Sequence, residues 1–147
     1  MAFPTNETRR TFASALDRAQ SQASSIKRIA ANNRDRMASG PITAGGLFSL
    51  LDNLIGAKVQ LAEAAAMPGM DEYAEAQLGQ TVSADFDAMM QAIDDATAWI
   101  IANMPKADGY LQTETLEADG TRTERSFATA DTAGLRTALD AVIATID

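Results

Sequence analysis

Near the C-terminal end of the chain, the dipeptide Asp119-Gly120 stands between two threonine-rich runs with scattered apolar positions, residues 110–118 and 121–127. Asp-Gly between such runs is a strong hairpin signal, because glycine accepts the positive φ of a tight primed turn. A two-residue turn here predicts Ala118 opposite Thr121, Glu117 opposite Arg122 and Glu114 opposite Arg125. The last two are opposite-charge pairs contributing about 0.2–1 kcal/mol each. Tyr110, Leu116 and Phe127 then share one face, with Leu111 on the other. An isolated hairpin is marginal in water and must lean on something. The helical pattern that follows, capped by Thr129 or Asp131, offers one stripe, Leu135, Leu139, Val142 and Ile146, and is expected to cover the hairpin's apolar face. The second face has little to bury, and both edges are expected to be open to a strand of another molecule.

Four further helices are predicted ahead of the hairpin. Residues 6–38 repeat Phe12, Leu16, Ala19, Ala23, Ile26, Ala30 and Met37 at spacings of three, four and seven. Most of that stripe is small, so the helix depends on close packing against a neighbour. Ser39-Gly40-Pro41 stops it. Thr43 is the expected N-cap of a second helix, residues 43–66, with Leu47, Leu50, Leu51, Leu54, Ile55, Val59 and Leu61 as its core face. Gly45, Gly46 and Gly56 weaken it by roughly 1 kcal/mol each relative to Ala unless they admit close approach. Pro68-Gly69 breaks the chain, and a short helix, residues 71–78, places its acids in the first turn, where the helix dipole favours them. Gly79 closes it. Ser83 is the expected cap of a fourth helix ending near Asn103, with Phe86, Met89, Met90, Ile93, Ala96, Trp99 and Ile100 inward. Met104-Pro105 ends that helix, and residues 106–109 lead to the hairpin. The fold class expected is therefore mainly α: a bundle of about four helices, then a β-hairpin and a final amphipathic helix. These form a single domain over 1–147, with a long basic helix (1–38), a helical body (43–104) and the hairpin with its helix (109–147).

The chemistry available is narrow. With 147 residues, no cysteine and no histidine, the chain has no disulfide framework, no thiolate nucleophile and no imidazole base or ligand. Asp94-Asp95 and Asp85/Asp87 are too close in sequence to share a helix face. Asp71, Glu72 and Glu75 read as dipole compensation, and neither a phosphate-binding P-loop nor a dinucleotide fingerprint is present. These observations point to a non-enzymatic protein without cofactor or metal. No apolar run approaches the roughly 18 residues of a membrane span. The first residues lack the order of a signal peptide, so synthesis in the cytoplasm is expected.

Charge is unevenly divided. Residues 1–36 carry seven Lys/Arg and three Asp/Glu, a net of +4, whereas residues 37–147 carry five and seventeen, a net of −12, giving −8 in all. In the first helix Arg9 and Lys27, Arg10 and Arg28, and Arg18 and Arg36 are each eighteen residues apart, about five turns, so each pair lies on one line. A solvated face and packing on acidic helices are the plain readings; a strip for an acidic partner is the sharper one. The acidic body and sparse aromatics argue against direct nucleic-acid binding.

Three stretches carry a resemblance: WIIANMP at residues 99–105 with GYL at 109–111, DGTRTERSF at 119–127, and TAGLRTAL at 132–139. They resemble the C-terminal end of small virion proteins of tailed bacteriophages. The plan of hairpin followed by helix is similar to that of head-completion proteins of lambda-like phages. The resemblance implies a virion component of the head–tail connector or neck, assembling as a homo-oligomeric ring on the portal or against neighbouring neck or tail proteins. Under that expectation Arg9, Arg10, Arg18, Lys27 and Arg28 face an acidic neighbour, and Glu114, Glu117, Arg122 and Arg125 lie on a hairpin that supplies an edge. The alternative expectation is a small phage-encoded helical protein that binds or regulates a host or phage partner.

Overall fold

The computed structural model describes residues 6–79 and 82–146, without the side chains of residues 6–10, 78, 83 and 84. Its elements are α1 (Asn6–Ser39), β1 (Ile42–Thr43), α2 (Ala44–Ala66), α3 (Met70–Leu78), α4 (Ser83–Asn103), β2 (Lys106–Ala107), β3 (Tyr110–Leu111), β4 (Glu114–Leu116), β5 (Arg122–Glu124), β6 (Ser126–Phe127), a 3₁₀ turn (Thr129–Thr132) and α5 (Ala133–Ala144). Four long helices close a ring of contacts: α1 on α2, α2 on α4, α4 on α5, and α5 back on α1. The architecture is mainly α, with small antiparallel strand pairs ahead of the last helix.

The stripe read from α1 is the stripe it buries. Phe12, Leu16, Ala19, Ala23, Ile26, Ala30 and Met37 all lie in the core, with Ala19 and Ala30 fully inaccessible. Because alanine adds little area, this helix gains its stability from proximity to α2 and α5. The basic segment is thus a wall of the bundle along its inner face. In α2, Leu47, Leu50, Leu51, Leu54 and Leu61 are buried, each worth about 1.5–3 kcal/mol of transfer free energy. Ile55 and Val59, expected in that core, are exposed instead. Ala57 and Ala64 take the inward positions, and the two β-branched residues lie on a flank that faces solvent.

Several helix ends match the local chemistry. The hydroxyl of Thr43 accepts a hydrogen bond from the Gly46 N–H at 3.1 Å, the N-cap expected. Gly79 ends α3 in the left-handed conformation, with its N–H donating to the Glu75 carbonyl. Ser83 does not cap α4. It is the first helical residue, and Val82 at the cap donates its N–H to the Asp71 carboxylate at 3.2 Å. Nor do Thr129 and Asp131 cap α5 directly, because the 3₁₀ turn intervenes. Asp131 instead accepts from the Ala128 N–H at 3.3 Å, and the buried Thr132 hydroxyl donates to the Thr129 carbonyl.

Candidate functional site

The region that the sequence singles out lies between Lys106 and Phe127, and it is built differently from the expectation. Two Asp-Gly dipeptides occur here. The first, Asp108-Gly109, read as a lead-in, has positive φ at both residues (51° and 82°) and joins β2 to β3, with Ala107 opposite Tyr110. Both central residues in the left-handed region are what a two-residue primed turn requires. The second, Asp119-Gly120, has positive φ at Gly120 alone. The Glu117 N–H donates to the Thr121 carbonyl at 2.8 Å, so the loop holds three residues, Ala118, Asp119 and Gly120.

That extra loop residue shifts the whole register by one. Glu114 faces Glu124, Thr115 faces Thr123, and Leu116 faces Arg122. Neither predicted cross-strand ion pair, Glu117 with Arg122 or Glu114 with Arg125, forms. Two contacts hold this arrangement. Asp119 accepts from both the Thr121 hydroxyl (2.6 Å) and the Thr121 N–H (3.0 Å), and these bonds, the hydroxyl foremost, hold its carboxyl below the usual carboxylate range. At the other end Glu124 accepts from the Gly45 N–H at 2.9 Å, and the Ala44 N–H donates to the Arg125 carbonyl. The start of α2 therefore anchors the strand, and a side chain at Gly45 would place its Cβ 2.6 Å from the Glu124 carboxylate. A larger residue there would displace the flexible end of Glu124 and so strain this bond, with no backbone in the way.

Phe127 is the hairpin's single buried foot. It pairs with Ile42 across β6 and β1, meets Trp99 edge to face at 6.5 Å, and carries the Arg125 guanidinium over its ring at 5.0 Å. The expected cover for the rest of the hairpin is absent. Leu135, Leu139, Val142 and Ile146 are buried in the bundle, where α5 packs on α1 and α4. Tyr110 is 74% exposed and Leu116 67% exposed, and every residue from 114 to 126 is exposed. The apolar stripe of α5 goes to the larger apolar surface, that of two helices, and the hairpin stands out from the body.

On α1, Arg18 and Arg28 are exposed and Lys27 is half-buried; the side chains of Arg9 and Arg10 lie outside the described residues. Arg28 borders an open depression with Asp17, Gln20, Ser21, Ser24 and Ser25, continuous through Gln20 and Ser24 with a groove of about 400 Å³ reaching Asp85, Met89 and Ile146. No ion pair among the described residues engages Arg18, Lys27 or Arg28. Among the described residues, the ion pair that joins α1 to the acidic body is made by Arg34, for which the sequence pattern carries no signal: it pairs with Asp140 of α5 at 2.9 Å and with neighbouring Asp35 at 3.2 Å. Hydrogen bonds to Asp140 and then to Asp35 hold its guanidinium above its ordinary pKa. Lys58 and Asp94 form a second inter-helix pair at 2.6 Å, between α2 and α4. Among the described residues no group of three or more Asp and Glu side chains is placed to hold a metal ion, and no helix is long and apolar enough to cross a membrane.

Comparison with protein-family models, with curated proteins and with solved structures returns no match.

Proposed function

We propose that this chain is a non-enzymatic structural component of a tailed-phage virion, made in the bacterial cytoplasm and assembled as a ring at the head–tail junction, where it joins portal and tail. The observation that carries this reading is the uncovered β4–β5 hairpin. Two strands exposed along their length and tied to the body through Glu124 and Arg125 are marginal alone, and a two-stranded sheet offers edges for another chain to pair with. The resemblance of residues 99–105, 119–127 and 132–139 to phage virion proteins supplies the class of particle. Arg18 and Arg28 of α1, exposed and in no ion pair among the described residues, supply the second half of a head-to-tail contact on a chain of net charge −8. In such a ring, the α1 face of one subunit meets the acidic hairpin or body of the next subunit or of the portal.

Charge reversal at Arg10 and Arg28 tests this reading. The sequence spacing sets both positions on one line away from the apolar stripe, so the far-ultraviolet circular dichroism of the monomer stays unchanged while the ring mass seen in sedimentation, alone or on purified portal, is lost. Assembly identical to that of the unmodified chain rejects the contact, and absence of the chain from purified particles of the phage that encodes it rejects the station.

A further inference from the structure

A second surface, independent of the hairpin, lies on α2. Phe48, Asp52, Ile55, Val59, Ala62 and Ala66 follow one another at spacings of four and three, the repeat that presents a single line of side chains to a neighbouring helix. The bundle does not use this line. Ile55 and Val59 are 45% and 47% exposed, and Phe48, Asp52 and Ala66 are exposed with them.

The adjoining helix extends the seam. Trp99 rests on Phe127, the strand partner of Ile42 just ahead of α2, while Lys58 pairs with Asp94. Thus α2 and α4 run antiparallel. Ile101, two turns beyond Asp94 on the same line of α4, comes level with Leu51 and so stands between Phe48 and Ile55. It too is exposed.

Charge decides what can lie there. Asp52 within the seam and Glu63 beside it are exposed and enter no ion pair among the described residues, while Lys58, on the side of α2 toward α4, is held by Asp94. A second copy of the same seam fits poorly. Parallel pairing sets Asp52 against its twin, and antiparallel pairing about residue 57 sets Asp52 beside the other copy's Glu63; like charges in facing helices oppose association. We propose that this seam docks an amphipathic helix of another polypeptide, apolar along one stripe and rich in lysine or arginine on its flanks. Phe48, Ile55, Val59 and Ile101 receive the stripe, and Asp52 and Glu63 receive the cations. The assignment does not rest on the ring or on the phage reading.

Two fluorescent synthetic helices, each about three heptads long with leucine along the seam, serve as probes. One has lysine on both flanks, the other glutamate, and each is titrated with the full chain. The lysine-flanked peptide binds, and the variant Ile55→Ser/Val59→Ser weakens it by about tenfold or more with unchanged circular dichroism. The variant Asp52→Lys/Glu63→Lys reverses the preference toward the glutamate-flanked peptide. The proposal is overturned if neither peptide binds, if the serine variant binds as tightly as the unmodified chain, or if both peptides bind the unmodified chain equally. It is also overturned if sedimentation shows self-association that the serine variant alone abolishes, because the occupant is then a second copy.

Discussion

Two glycines inside helices, Gly56 and Gly134, offer a test of the packing in which one chemical change has opposite consequences. Gly56 lies in mid-α2, and a Cβ built on it meets nothing within 4 Å. Replacement by alanine there gains the helix preference of alanine over glycine, about 0.8–1 kcal/mol, with no steric cost. Gly134 is the second residue of α5, and its Cβ would stand 2.8 Å from Nε1 and 3.2 Å from Cδ1 of Trp99. The indole is a rigid ring set edge to face on the buried Phe127, so it cannot withdraw as the end of a flexible chain does. Overpacking of this kind costs about 1–3 kcal/mol, which exceeds the helix gain. The expected result is a rise of about 2–4 °C in Tm for Gly56→Ala and a net loss of about 1 kcal/mol for Gly134→Ala. Urea denaturation measures both. Trp99 is the chain's single tryptophan, so its emission also reports the displacement directly: a spectral change in Gly134→Ala and none in Gly56→Ala. Equal stabilisation by both substitutions, with unaltered emission, would refute the close contact between α5 and α4 on which the bundle's closure rests.

Two other outcomes follow from the burial and the turn. Leu139→Ala should cost about 2–5 kcal/mol because the side chain is fully inaccessible between helices, whereas Leu116→Ala should leave monomer stability within about 0.5 kcal/mol; comparable losses in denaturant melts would mean that α5 covers the hairpin after all. The Thr121 bonds depress the carboxyl of Asp119, so their contribution to the turn is complete above the ordinary aspartate value of about 3.9 and is lost as pH falls through the lower folded value. The Thr121 amide resonance should therefore titrate with a midpoint below that of a free aspartate, and a midpoint at or above it would exclude the hydrogen bonds.

Much of the functional reading depends on surfaces that no local pattern announces. The cations of α1 were legible as a polar side, because residues eighteen apart lie on one line of any α-helix. That Arg34 reaches Asp140 depends on where α5 lies, and the sequence is silent on that. The helix repeat groups Ile55 and Val59 with the core, because apolar residues within such a repeat are usually inward. The helix is apolar over more than half its circumference, and only the positions of α1 and α4 select which part is covered. The signal available was the strict alternation of four and three from Phe48 to Ala66, a second stripe beside the first.

What the sequence determined by itself is the set of helices and most of their limits. Pro41, Pro68-Gly69, Gly79 and Pro105 interrupt the backbone through their own φ preferences or missing N–H, and Thr43 satisfies a helix end two or three residues away, so these boundaries need no distant partner. What only the tertiary structure decided is register and covering. Asp119-Gly120 is compatible with either a two- or a three-residue loop, and the choice falls to Glu124 and Arg125, which bond to Gly45 and Ala44 some eighty residues earlier in the chain. The stripe of α5 could serve the hairpin or the bundle and goes to the bundle, because two helices bury more apolar area than two polar strands. Local backbone energetics act within a few residues, whereas burial is a competition among all the faces the chain presents at once.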